Sequence, residues 1–438
     1  MTVLGPHAEG GLEIPRFPRT VLIVHNRYQQ RGGEDTVVEA EADLLRRNGH
    51  EVRTLIVSND QIDPAAGIAR KVRLGARTVW SERSKRLMTG SIRRHRPDLV
   101  HVHNTFPLLS PSIYSACREA GVPVVQTLHN FRLICPVATL FRDHHPCEEC
   151  VGKTVPWPGV VHACYRDSAA ATAPVAAMLA YNNLRRTWHK DVDLFLVLSN
   201  FGRDLFIRGG LPANRLLVQS NFAPDPPGTA DEGGEGFVFV GRLSEEKGLR
   251  TLLDAWLGLG GDGRLTVAGD GPLRPVLEEA IRMGESISAL GRISREAASQ
   301  LMRRSAAVIV PSICYEGHPL AILEAFSEGR PVIASRLGSM AELIDDGRTG
   351  LLFTPGDPDS LRRTVRTAMD DPGRLREMGR AARAEYDQRF TEAVRYRQLL
   401  VAYRMARRRA GRRRLQRAGA SPWGLRPLNA LRSRSVSS

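Results

Sequence analysis

Hydrophobic residues in this 438-residue chain gather in short unbroken runs rich in Val, Ile and Leu, with little in–out alternation. In the first half the clearest are TVLIVHN (20–26), EVRTLIVSN (51–59), DLVHVHN (98–104), VPVVQTLHN (122–130) and DLFLVLSN (193–200). In the second they are GFVFVGR (236–242), RLTVAGDG (264–271), ISALGR (287–292), AAVIVPS (306–312), RPVIAS (330–335) and TGLLFTP (349–355). Runs of this kind suit parallel strands covered on both faces. Helical patterns fill the gaps, as over Asp35–Asn48, Gly248–Leu257, Arg295–Arg304 and Pro319–Ser327. Strand–helix–strand repetition predicts an α/β fold. Two such series predict two Rossmann-like, doubly wound parallel-sheet domains facing a cleft. Between them PDPPGTADEGGEG (224–236) reads as a linker, being rich in Pro, Gly and acid. The predicted division is an N-terminal tail (1–18), a first domain (19–205), a linker region (206–236), a second domain (237–390), a C-terminal helix (391–409) and a basic, disordered tail (410–438).

Composition changes this picture only at the edges. With 42% hydrophobic and 25% charged residues the chain is of ordinary globular type, which excludes wholesale disorder. The net charge is +15, but Glu392 is the last acid and residues 393–438 hold 13 Arg, so the rest carries only +2. A near-neutral body argues against a nucleic-acid-binding protein, the class an Arg-rich tail and clustered cysteines would otherwise favour. No run of 18 apolar residues is present and the first 18 residues lack the order of a secretory signal, so a cytoplasmic protein is expected. Two segments fit an anionic membrane surface at its inner face. Residues 68–96 carry ten Lys/Arg against Glu82 alone, and the helix near 392–409 sets Val394, Leu399, Leu400 and Tyr403 beside arginines. The plainer alternative is a solvated face and a final helix packed on the first domain.

In open α/β folds ligands lie beyond the carboxyl ends of the strands. The richest such stretch is SICYEGHPLAILEAFSEGRPVIAS (312–335). Glu316 follows a strand, and Pro319 is expected as the first position of a helix carrying Glu324. Eight helical residues rise about 12 Å, too far for a retaining-glycosidase carboxylate pair at about 5–5.5 Å. Two carboxylates flanking a helix N-terminus instead fit the two ends of a ligand with an anion in its middle. In VGRLSEEKGLRTLLDA (240–255), Arg242 and Lys247 sit where two fixed cations neutralise a diphosphate. For Arg242 the alternative is surface pairing with Glu245 and Glu246. Arg31-Gly32-Gly33-Glu34 and Gly269-Asp270-Gly271 are tight turns that allow close backbone approach. His129 ends its strand toward the same cleft. His101 and His103 share a strand face but have no third metal ligand at a suitable spacing, so they are read as structural.

With Glu316-x7-Glu324, Gly241-Arg242-Leu243 before Lys247-Gly248, and Ala268-Gly269-Asp270-Gly271-Pro272 in this order, the sequence resembles glycosyltransferase family 4 over about residues 20–390. Its members are retaining nucleotide-sugar transferases of the two-Rossmann GT-B fold. The resemblance implies that Arg242 and Lys247 hold the donor diphosphate and Glu324 the ribose. It implies that Glu316 and the backbone of His318, Pro319 and Leu320 contact the donor sugar, and that the backbone at Arg292–Ile293 meets the base. Gly33 is then expected under the diphosphate, Gly269 in the donor site, and His129 near the reacting carbon. His318-Pro319 departs from the aromatic or aliphatic residue and Gly often found there. The acceptor is expected to be a saccharide or a lipid-linked one, for a cell-surface polysaccharide or glycolipid. Two side-chain cations remove the need for a catalytic metal. The alternative within the same fold is a nucleotide-sugar epimerase, which binds the donor and transfers nothing.

Six cysteines are too few for a disulfide scaffold of this length. Four of them, Cys135, Cys147, Cys150 and Cys164, form C-x11-C-x2-C-x13-C in a Pro-rich irregular stretch. That spacing predicts a structural zinc, against the alternative of four free thiols.

Overall fold

A computed structural model describes residues 17–29, 32–63, 67–226, 233–284 and 286–419. The parts of the predicted tails at 1–16 and 420–438, Arg31 of the first glycine turn, and linker residues 227–232 lie outside them. All eleven apolar runs form strands. The first domain holds β1 (Thr20–Arg27), β2 (Glu51–Ser58), β3 (Leu99–Val102), β4 (Val124–Leu128), a small ribbon of β5 (Phe141–Arg142) with β6 (His145–Pro146), β7 (Leu194–Val197) and β8 (Leu216–Val218). The second holds β9 (Phe237–Val240), β10 (Leu265–Ala268), β11 (Ile287–Gly291), β12 (Ala307–Val310), β13 (Val332–Ser335) and β14 (Gly350–Phe353). The sheet orders are β2-β1-β3-β4-β7-β8 and β11-β10-β9-β12-β13-β14, parallel throughout. Central strands such as β1 and β3 are buried along nearly their whole length, which is why their sequences show no alternation. The winding direction reverses between β1 and β3 and again between β9 and β12. Those two points are where such sheets open a crevice.

Three expectations are corrected. Residues 206–236 are not all linker: the helix Asn200–Arg208 ends inside them and β8 completes the first sheet. The final helix runs from Glu392 to Gly419, so the residues just past 409 are helical rather than disordered. Its apolar side does not face outward either. Leu399, Ala402, Tyr403 and Ala406 are fully buried against Val21, Ile23, Val125 and Leu194 of the first domain. Chain that has already built the second domain thus returns to cover the first. Arg395 fixes the crossing, bonding Glu41 of helix Gly33–Arg47 through two nitrogens with both side chains buried.

Candidate active site

The second domain's crevice is shaped by glycines at the strand ends. At Gly269 a Cβ would lie 1.8 Å from the carbonyl oxygen of Gly241, so only glycine lets the turn after β10 press on the turn after β9. The glycine therefore has a packing reason whatever else it touches. Lys247 closes a single 3-10 turn, Glu245–Lys247, rather than opening a helix directly. Gly248 follows at φ +70°, where a Cβ would meet the Pro311 carbonyl at 1.8 Å. This approach lays the turn against the end of β12 and sets Lys247 Nζ 2.6 Å from Glu316 Oε1. Ser312 Oγ donates to the same oxygen at 2.6 Å, and Ser339 Oγ holds the Glu316 carbonyl at 2.7 Å. Burial alone would raise the Glu316 carboxyl, but the Lys247 charge and these bonds outweigh it and hold it below its ordinary value. Lys247 is correspondingly pushed up, the Glu316 charge prevailing over desolvation. An ammonium has three donors, so one bond to Glu316 leaves others for a ligand.

Arg242 is exposed, and the pairing with Glu245 and Glu246 considered for it is not what is seen. Glu245 binds Arg250 at 2.8 Å and Glu246 takes a bond from Ser244 Oγ at 2.7 Å. Pro319 is the extended N-cap of helix Leu320–Ser327, not its first residue. The helical rise from Leu320 to Glu324 is therefore only about 6 Å, the turn 317–319 making up the rest of the separation. Glu324 has its own cation, Arg295 Nη2 at 3.3 Å, so the two carboxylates stand in separate electrostatic settings. Ile293 lies in the loop between β11 and helix Arg295–Arg303. The ring of His318 turns inward, 6.0 Å from Phe390, with both nitrogens unbonded. Burial first, then Arg389 and Arg395, lowers it to about 3, so it is a neutral packing group. Only its backbone stands at the turn.

The first domain meets this turn from across the crevice. A Cβ on Gly33 would lie 3.3 Å from Leu320 Cδ1, and one on Gly317 would lie 2.6 Å from the His129 carbonyl oxygen. Glu342 caps the helix Asn200–Arg208, accepting both the Asn200 and Phe201 N–H groups at 2.9 Å. Gly33, His129, Lys247, Glu316 and the 317–320 turn, scattered along the chain, are thereby gathered at one place.

Behind His129 stands a file of imidazoles. His129 Nε2 is 2.9 Å from His103 Nδ1 with the rings stacked, and His103 lies 4.3 Å from the ring of His101. Burial, then the neighbouring His25 and Arg395, lowers His129 to about 3, so it meets the crevice as a neutral base. The sequence reading found no third ligand for His101 and His103. The fold supplies one, Glu41, and the donor atoms of the three lie within 4.8 Å of one another. Yet Glu41 is held by Arg395, while His101 bonds Tyr403 at 2.9 Å and Thr127 at 2.8 Å. Glu41 Oε2 and His103 Nε2, 3.7 Å apart, are buried without a hydrogen-bond partner, but both His101 nitrogens are taken, so no complete ligand set is free for a metal.

Glu34 was visible beforehand only as the fourth residue of a glycine turn. Its Oε2 accepts from Asn130 Nδ2 at 3.1 Å, beside His129, while Oε1 is buried without a hydrogen bond, 3.8 Å from His25 Nδ1. Burial, then the nearby Asp35, pushes its carboxyl up to about 8. The four clustered cysteines lie together around one small cavity next to this crevice. None is in a disulfide.

Two family models match this chain in sequence, one described as Glycosyltransferase Family 4 over residues 31–224 and one as Glycosyl transferases group 1 over residues 234–371. The chain belongs to the family 4 glycosyltransferases. Among its relatives is a D-rhamnosyltransferase of Pseudomonas aeruginosa, 36% identical over 163 residues, which are 36% of this chain and 42% of that one. A phosphatidyl-myo-inositol mannosyltransferase of Mycobacterium leprae is 25% identical over 404 residues, covering 88% of this chain and 96% of the relative. Against several other curated glycosyltransferases the chain spans between 54% and 65% of the relative's length. The structure of Anabaena HepE in complex with UDP superposes with a TM-score of 0.61 at 18% identity, covering 87% of this chain and 98% of that one, and shows that the glycosyltransferase has the GT-B fold.

Proposed function

We propose that this protein is a retaining glycosyltransferase that moves a sugar from a nucleotide-diphosphate sugar to a saccharide or lipid-linked acceptor at the inner face of a membrane. The observation that carries this reading is the Lys247–Glu316 pair at the switch point of the second sheet, faced by Gly33 and His129 of the first domain. Glycosyl transfer builds positive charge on the anomeric carbon and negative charge on the departing diphosphate. Arg242, Lys247 and the free N–H groups of helix Leu320–Ser327 meet the second, a preorganised electrostatic contribution. Glu316 stays ionised beside the sugar, and Glu324 accepts from ribose hydroxyls. With two cations on the leaving group the step is written without a divalent metal. The acceptor hydroxyl attacks the face the diphosphate leaves. Its oxygen bonds the anomeric carbon as the carbon–phosphate-oxygen bond breaks, and its proton passes to a donor phosphate oxygen.

The donor is found first, by screening nucleotide sugars for a rise in melting temperature, which a ligand specific for the folded state produces. With that donor, Lys247→Ala and Glu316→Gln are each expected to lower kcat by roughly 10²–10³, as loss of one preorganised transition-state contact does. Both should melt cooperatively, as the parent does. Wild-type turnover in both variants refutes the assignment.

A further inference from the structure

Between His129 and the helix Ala169–Arg185 runs a long stretch with almost no regular structure. It contains only the ribbon β5–β6 and the five-residue helix Trp157–Val161. Its backbone is nevertheless held in costly shapes. Of nine non-glycine residues with left-handed φ among the described residues, seven fall between Ala138 and Asp167. Each such conformation is strained for a residue with a Cβ and persists only where the surroundings dictate it. Hydrogen-bonded secondary structure does not supply that constraint, and neither does a disulfide.

Cys135, Cys147, Cys150 and Cys164 line a single cavity at the centre of this stretch. They reach it from separate turns: Cys135 from just beyond β4, Cys147 and Cys150 after the ribbon, and Cys164 after the short helix. Arg142 lines the same cavity, its guanidinium paired with Glu149 at 2.8 Å and Asp143 at 3.0 Å. At Gly159 a Cβ would lie 2.8 Å from Pro136 Cγ, so the Cys135 and Cys164 turns are already pressed together.

We propose that these four cysteines bind one zinc ion as a closed tetrathiolate that pins the loop across the mouth of the crevice. Tetrahedral coordination with Zn–S near 2.3 Å sets the sulfurs about 3.8 Å apart. In this structure no three of the four sulfurs lie within 4.8 Å of one another, so binding requires the half-buried Cys147, Cys150 and Cys164 to turn inward. The ion acts on the neighbouring site through two contacts that the loop makes with the donor domain. Glu148, between two ligands, accepts from Tyr315 Oη at 3.0 Å, next to Glu316. His144 stands 3.9 Å from Glu245, in the same turn as Lys247. The metal is structural: all four positions are filled by protein, leaving none open for substrate.

Metal analysis of the purified full-length protein tests this directly. About one zinc per chain is expected, falling to near zero in Cys147→Ser/Cys150→Ser and unchanged in Cys117→Ala, whose thiol is buried elsewhere in the first domain. Should the double variant fail to fold, the wild-type chain still decides: exchange with cobalt(II) must give the intense visible bands of a tetrahedral tetrathiolate. Well under one zinc per chain, iron in its place, zinc retained by the double variant, cobalt without those bands, or two disulfides in the isolated protein would each overturn the site.

Discussion

At the scale of single residues, the crevice is defined by ionisable groups whose surroundings move them in opposite directions. Glu316, beside Lys247, is held ionised, whereas Glu34, beside Asn130, stays protonated at neutral pH. A carboxyl raised from 4.5 to about 8 on folding contributes its full stability below the unfolded value. That contribution is lost as pH climbs through the folded one. Melting temperatures measured from pH 5 to pH 9 should therefore fall more steeply in wild type than in Glu34→Gln, which keeps the neutral form throughout. Parallel slopes would show that Glu34 ionises normally. Lys247 and Glu316 stood out in the sequence because strand ends and glycine turns mark crevice positions. Glu34 did not, because its carboxyl is raised by burial and by Asp35, against the lowering effect of the Asn130 bond, and a linear reading cannot supply the burial. His103 was likewise legible as a strand residue but not as the partner of His129.

At the scale of elements, legibility followed burial. Strands covered on both faces announce themselves as apolar runs, and all eleven were found. The three-residue β8 at the sheet's edge has too short a run to register. The final helix ran further than expected because its later contacts join small residues, Ala406 and Ala410, to arginines that read as a solvated tail, Arg413 pairing with the buried Asp193 at 2.7 Å. What anchors that helix is the Arg395–Glu41 pair, at 1% and 0% exposure. Arg395→Ala leaves a buried carboxylate without its cation, expected to cost ~3–5 kcal/mol. The double variant Arg395→Met/Glu41→Gln removes both charges and should recover most of that loss. Urea midpoints of the three proteins measure it, and equal midpoints for wild type and Arg395→Ala would mean that the pair anchors nothing.

At the scale of the molecule, charge separates into a near-neutral body and basic surfaces. The membrane surface expected from the final helix is excluded for Leu399 and Tyr403, which lie in the core. No helix among the described residues is long and apolar enough to cross a membrane. The other basic segment keeps its apolar groups outside: on helix Ile68–Val79, Ile68 and Val72 are 81% and 67% exposed, one turn apart, among Arg70, Lys71 and Arg73. With each basic side chain near an anionic surface contributing ~1 kcal/mol, the protein should co-sediment with anionic vesicles and not with zwitterionic ones. Ile68→Ser/Val72→Ser should weaken that binding. Sedimentation indifferent to lipid charge would count against a membrane-bound acceptor.

The crossing of the last helix also has a consequence for biosynthesis. Val21 and Ile23 leave the ribosome more than 370 residues before their cover, Leu399 to Ala406. The N-terminal sheet must therefore wait, one apolar face covered only in part by Val38, Ala42 and Leu45 of helix Gly33–Arg47, through synthesis of the entire donor half. A nascent chain in that condition is a client for chaperones until the helix Glu392–Gly419 has been made.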